Sequence, residues 1–333
     1  MSCAVDSRHR THCSSHDAHR AQHGHQADRC DKSKESRESE RGGRKDGVHG
    51  KDDQADGVDI PKPNGRDGGT DGLSQLFLKG NGDSDTVEFN DIKQGKMSDC
   101  WVMAPLASLA LQDPEAIKNM VHENRGDDGK VKSYTVTLYD KGPDGEMQPK
   151  KITVGANEVA LQGGASTGDQ VRDRKEIWPQ VIEAAYAKLA GGAQNIGNRG
   201  DPNVAMAALT GQPAKQVDPR TLSFEEFKAQ LSEGRPVTAW SGATTTDQDL
   251  VPGHAYAVVN TKVENGVPMV ELYNPWGAQQ PGTPDPAGDG GWVTYADYQK
   301  LMAGQTIGGP VSAIPPTVGL SLDSFQQYAP LRA

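Results

Sequence analysis

The chain has 333 residues, with 35 Lys and Arg against 45 Asp and Glu, a formal net charge of −10 and only 5% aromatic residues. Its first 72 residues hold 13 basic against 14 acidic side chains, which leaves 22 against 31 for the rest. An acidic folded part argues against nucleic acid or an anionic membrane surface as partner.

Residues 1–72 contain no Phe, Tyr or Trp, and they carry seven of the nine histidines. Such a segment cannot bury enough apolar surface to offset the entropy of ordering it, so a disordered polar tail is predicted. Its histidines lie near Cys3, Cys13 and Cys30, but at the spacing of no zinc module. Cys100 is then the single cysteine of the remainder. No disulfide framework can form within that part, which suits a reducing compartment. The start, Met1-Ser2-Cys3-Ala4-Val5-Asp6-Ser7-Arg8, lacks the apolar core of a signal peptide, and no apolar run is long enough to span a bilayer. The expected location is the cytoplasm of the producing cell, or export as an effector without a classical leader.

The folded part is expected to open near Leu73. Asn81-Gly82-Asp83-Ser84-Asp85 begins like an EF-hand loop but lacks the acidic residue at position twelve. Thr86 to Phe89 reads as a short extended stretch. From Cys100, the residues Trp101, Val102, Ala104, Leu106, Ala107, Leu109, Ala110 and Leu111 follow a helical period that stops at Asp113-Pro114. Cys100 therefore opens a helix, where backbone N–H groups and the dipole favour a thiolate. Ser133 to Tyr139 alternates as a strand, Lys141 to Gly145 turns, and Lys151 to Val154 pairs with it. Helices follow at Ile177–Leu189, Asn203–Leu209 and Leu222–Leu231, the last with Ser223 as N-cap. The chain then becomes strand-rich: Pro236–Trp240, His254–Val259, Val267–Tyr273 and Gly291–Tyr295, closed by a short helix at Tyr295–Met302.

Three motifs carry chemistry. They are Gln94-Gly95-Lys96-Met97-Ser98-Asp99-Cys100-Trp101, then Gly253-His254-Ala255-Tyr256, then Asn274-Pro275-Trp276-Gly277. They supply a thiol, a base, a group to orient the base and an oxyanion donor, which is what a cysteine hydrolase needs. Taken singly, each has a plainer reading: a buried thiol beside Trp101, a satisfied core histidine, a turn packed on an aromatic.

In this order the blocks resemble the active-site segments of the calpain family of papain-like cysteine proteases, and the leader suggests a bacterial member. Glu176-Ile177-Trp178 and Glu183-Ala184-Ala185-Tyr186-Ala187-Lys188 resemble the family's text between its Cys and His blocks. Ser98 stands where the family usually has Gly. The resemblance implies an α+β papain-like fold of two lobes, a helical lobe with Cys100 at 73–210 and a β-rich lobe with His254 and Asn274 at 211–314; the disordered tail at 1–72 and a C-terminal tail at 315–333 lie outside it. It implies an endopeptidase with Cys100 as nucleophile, His254 as base, Asn274 as orienting group and Gln94 as oxyanion donor. Trp101 and Trp276 would support them, and the substrates would be proteins. The chemistry needs no cofactor. Calcium within the core is left open, with Asp91 and Glu183 as its candidate ligands. A Cys-His-Asn acyltransferase or deamidase, and an inactive scaffold of the same fold, stay as alternatives. Oligomeric state is not legible.

Overall fold

A computed structural model describes residues 73–244, 250–277 and 291–311. The predicted tails at 1–72 and 315–333 lie outside the described residues, as do the tail's histidines and three cysteines. In chain order the first elements are β1 (Ser74–Gln75), α1 (Cys100–Gln112), α2 (Pro114–Met120), β2 (Val121–Arg125), β3 (Val131–Lys141) and β4 (Met147–Gly155). Then come β5 (Gln170–Val171), β6 (Arg174–Glu176), α3 (Trp178–Leu189), α4 (Ala193–Ile196) and α5 (Pro202–Thr210). The rest adds β7 (Lys215–Val217), α6 (Phe224–Ser232), β8 (Val237–Ser241), β9 (Ala255–Glu264), β10 (Val267–Tyr273), β11 (Trp292–Thr294), α7 (Tyr295–Leu301) and β12 (Met302–Ile307).

Helix α1 organises the site. Ten of its 13 residues are buried, because apolar side chains surround it and it must run through the interior. It packs on α5, β8 and β9. Ser108 Oγ donates to Val237 O at 3.0 Å and accepts from Val237 N at 2.7 Å, so the helix is pinned to the start of β8. Asp113 ends it and caps α2, accepting from Ala116 N ahead of Pro114.

A six-stranded antiparallel sheet runs β11-β10-β9-β8-β12-β7. Two smaller sheets, β2-β3-β4 and β1-β6-β5, belong to the first half of the chain. Hydrophobic side chains gather in two cores. One is built from Leu76 to Leu209 and joined by Ala257 of β9; the other runs from Phe227 to Ile307. The fold is thus the mixed helix-and-sheet arrangement expected, with more strand in the first half than the sequence suggested. No helix among the described residues is long and apolar enough to cross a membrane.

Three elements depart from expectation. Thr86–Phe89 is not a paired strand: Glu88 is extended, and Phe89–Asp91 forms a 3-10 turn closed by reciprocal Glu88–Asp91 capping bonds. Strand β2, with His122, was not among the expected elements; it is the outer strand of its sheet and pairs antiparallel with β3. Strand β12 lies between β8 and β7 and is buried at five of six positions. A strand covered on both faces does not alternate, and so leaves no period-two signal.

Candidate active site

Cys100 is the first residue of α1, with Asp99 as N-cap. It lines a cavity of about 420 Å³ together with Gln94, Arg199, His254 and Trp276. A second cavity of about 300 Å³ adjoins it, lined by Trp101, Arg199, Gly253 and Ala255 among others. Trp101 Nε1 donates to Ile196 O at 2.9 Å, and its ring lies against Gly200, where a side-chain Cβ would come within 2.3 Å of it. Burial pushes the Cys100 thiol up and Asp99 adds to the rise; the backbone N–H groups of Ala255 and Trp101 and the charge of Arg199 oppose it. Desolvation therefore outweighs the helix terminus, contrary to the thiolate expected from sequence.

His254 directly precedes β9 and is 4% exposed. Gly253 turns the chain into it with φ +63°, a conformation a side chain would strain, and donates to Gly242 O at 3.0 Å. The His254 backbone donates to Ser241 Oγ at 3.1 Å and accepts from Ser241 N at 3.0 Å. Its Nε2 lies 2.8 Å from Asn274 Oδ1, which also accepts from Trp276 N at 3.1 Å. An amide oxygen can only accept, so Nε2 carries hydrogen and Nδ1 is left as the proton acceptor. Trp276 packs on the imidazole with ring centroids 4.5 Å apart, and Tyr256 meets it edge-on at 5.0 Å. Burial lowers the His254 pKa to about 4, against the raising effect of the Asn274 bond. Among the described residues no hydrogen bond joins Cys100 to His254, and burial works against the charged form of each.

Gln94 is buried and its backbone N–H donates to Pro275 O at 2.7 Å, while Tyr273 Oη donates to Ile92 O at 2.6 Å. The stretch before Cys100 is thereby tied to the Asn274 turn. Gln94 Nε2 donates to Met97 O at 2.6 Å, and the same amide lies close enough to Asp99 to help hold that carboxyl's pKa down. Below it, Gly95 rests on the carbonyl of Gly164, where a Cβ would sit only 1.9 Å from the oxygen. Met97 N donates to Gly163 O at 2.8 Å, and Ser166 N to Lys93 O at 2.9 Å. This supporting loop hangs from α3: Ala165 N donates to both Glu183 carboxyl oxygens at 2.9 Å, and Ala165 O accepts from Gln180 Nε2 at 2.9 Å.

Glu183 is therefore not beside Asp91. It faces Asp99; both are 0% exposed, and the Asp99 oxygens make no well-formed hydrogen bond among the described residues, with the Gln94 amide as the nearby donor. Two buried carboxyls with acceptor oxygens to fill are satisfied by sharing a proton. Burial, then the Asp99 contact, push Glu183 up to about 9, and burial raises Asp99 as well.

Asp91 instead meets Asp83 and Asp169, with one carboxylate oxygen from each lying within 4.8 Å of the others. Oxygens on a calcium ion at roughly 2.4 Å can stand that far apart, so the set fits a calcium shell. Asp91 Oδ2 also accepts from Glu88 N at 2.7 Å and Trp178 Nε1 at 3.3 Å. Glu176 adds a fourth acid, 0% exposed and pushed up to about 9 by burial and then by Asp91. Burial, then neighbouring carboxylates, raise Asp91 and Asp169 to about 6. The nearby cation is Lys93, 4.0 Å from Asp169. The sequence paired Asp91 with Glu183 as candidate calcium ligands; the structure sets Asp91 beside Asp83, Asp169 and Glu176, and Glu183 beside Asp99. Glu176 stood in the quoted Glu176-Ile177-Trp178 text, whereas Asp169 lies in a loop with no periodic signal.

A thiol at a helix start, facing a cavity shared with a histidine–asparagine pair, is the arrangement of a cysteine peptidase domain. Residues 79–301, two-thirds of the chain, match the family model described as calpain family cysteine protease. The chain belongs to the calpain family of cysteine proteases. It is 27% identical over 212 residues to calpain-7 of Sus scrofa, covering 57% of this chain and 25% of that protein. It is 29% identical over 199 residues to calpain-12 of Mus musculus, covering 56% and 26%. With the calpain-type cysteine protease DEK1 of Zea mays it is 24% identical over 211 residues, covering 58% and 9%. The chain thus spans about a quarter or less of the length of these relatives. They come from animals and a plant, and the expected bacterial origin is not borne out.

Proposed function

We propose that the chain is a calpain-like cysteine endopeptidase that makes limited cuts in protein substrates. The observation that carries this is the Nε2–Asn274 bond, which leaves Nδ1 of His254 as the free nitrogen in a cavity it shares with Cys100 and Gln94. His254 Nδ1 takes the thiol proton, and the Cys100 sulfur attacks the substrate carbonyl carbon. The Gln94 side-chain amide, turning from its present partners, and the Cys100 backbone N–H receive the developing oxyanion. His254 then protonates the leaving amine, and water hydrolyses the thioester. Asn274 holds the ring in one tautomer, and Trp276 covers the bond between them.

An irreversible epoxide inhibitor of papain-like proteases is expected to label Cys100, with peptide cleavage falling in proportion to the labelled fraction. Cleavage persisting in fully labelled protein would overturn this reading. Ammonia release from glutamine peptides without chain cleavage would favour the deamidase instead.

On the same reading, Asp83, Asp91 and Asp169 hold calcium, with Glu176 behind them; the ion would neutralise the cluster and fix the segment leading to Gln94. Calcium at 100-fold over its Kd should then stabilise the protein by about 2.7 kcal/mol in thermal unfolding. Asp169→Asn should abolish that rise, yet raise Tm in chelator, because it relieves repulsion among carboxylates that no ion offsets. A calcium response unchanged in Asp169→Asn would refute the assignment.

A further inference from the structure

We infer that Lys96 and Arg199 make the Cys100 cleft select an acidic substrate segment, with a carboxylate close to the bond that is cut. The choice of a peptide as ligand rests on the proposed endopeptidase reading; the charge selection does not. Arg199 borders both cavities that adjoin Cys100, and Lys96 borders the one that also holds Gln94 and His254. Both side chains are exposed. Among the described residues no carboxylate forms an ion pair with either, and no Asp or Glu lines the larger cavity.

Arg199 is held there by its backbone. Its φ of +59° lies in the left-handed region, which a non-glycine residue seldom adopts, and it sits between Asn198 and Gly200. That conformation sends the guanidinium across to the other wall, where Nη1 lies 3.9 Å from the point a Cβ on Gly253 would occupy, one residue before His254. Asp201, which borders the smaller cavity, is engaged elsewhere: its Oδ1 accepts from Asn203 N at 2.9 Å and Asn203 Nδ2 at 2.7 Å. Residues 73–333 carry 22 basic against 31 acidic side chains. Two cations with no ion-pair partner among the described residues therefore oppose the acidic surroundings where a substrate must lie. A peptide carboxylate there would gain a partner that the rest of the surface denies it, and a lysine-rich segment would be repelled.

Two measurements on the full chain test this. The first is the ratio of Cys100 alkylation rates by iodoacetate and iodoacetamide, read by mass spectrometry. Both reagents consume the thiolate, so the ratio cancels any change in its ionisation and reads local charge. Removing one charge, in Arg199→Gly or Lys96→Gln, should lower the ratio roughly three- to tenfold, less at high salt. Glycine suits the backbone at 199, and Arg199→Lys should restore most of the ratio. The second is cleavage of peptide pairs that differ by Glu or Gln within three positions of the cut. Wild type should prefer the Glu member, and the double variant should lose that preference. A ratio unmoved in the double variant, or equal cleavage of both peptides by wild type, would overturn the inference. A ratio that falls as expected, with no peptide cut by wild type, would support charge selection and sink the endopeptidase reading.

Discussion

Glu183→Ala is expected to destabilise the protein by roughly 3–5 kcal/mol, while Glu183→Gln should fold with near-native stability. Alanine removes a fully buried side chain, strands the Ala165 N–H that bonds both carboxyl oxygens, and leaves Asp99 buried without a proton-sharing partner. Glutamine keeps an oxygen for Ala165 N and offers an N–H to Asp99. The two variants should also separate by pH. Glu183 is raised from an ordinary 4.5 to about 9, so the native state holds a proton that the unfolded chain releases. The stabilisation is therefore complete below about 4.5 and is lost as pH rises toward about 9. Urea unfolding across that window should show a falling stability in wild type and a flatter profile in Glu183→Gln. A Glu183→Ala variant as stable as wild type would mean that the pair and its loop contribute nothing.

Gln94→Ala should lower kcat by roughly 10²- to 10³-fold with little change in KM, the cost of one oxyanion donor. The side chain is 5% exposed and its Oε1 has no partner among the described residues, so the Met97 bond, packing and the neighbouring Asp99 hold it. Alanine retains the backbone N–H to Pro275, and with it the tie to the Asn274 turn. Thermal unfolding should accordingly move far less than rate. A proportional loss of rate and stability would make Gln94 a structural residue.

The candidate site residues were legible because they sit in contiguous blocks: Gln94 to Trp101, Gly253 to Tyr256 and Asn274 to Gly277. Helix α1 and strand β10 were legible because one face or both faces met a core in a regular period. The support beneath them was not. That Glu183 carries the Gly163–Ser166 loop, and that Glu176 rather than Glu183 stands by Asp91, depends on which turn of α3 faces which loop across many intervening residues. Nor could the text reveal that Arg199 crosses to Gly253, since a positive φ outside glycine has no composition signal. The β12 strand was missed for the opposite reason, being covered on both faces.

The Gln94–Pro275 and Tyr273–Ile92 bonds carry a mechanical consequence. They tie the segment before Cys100 to the turn after β10, so on the proposed reading Gln94 and Asn274 would keep their spacing if the cleft were to change shape. The acidic cluster joins the same segment at Asp91, three residues before Gln94. A cation held there would reach the cleft through that short stretch of backbone and through the two bonds that fasten it.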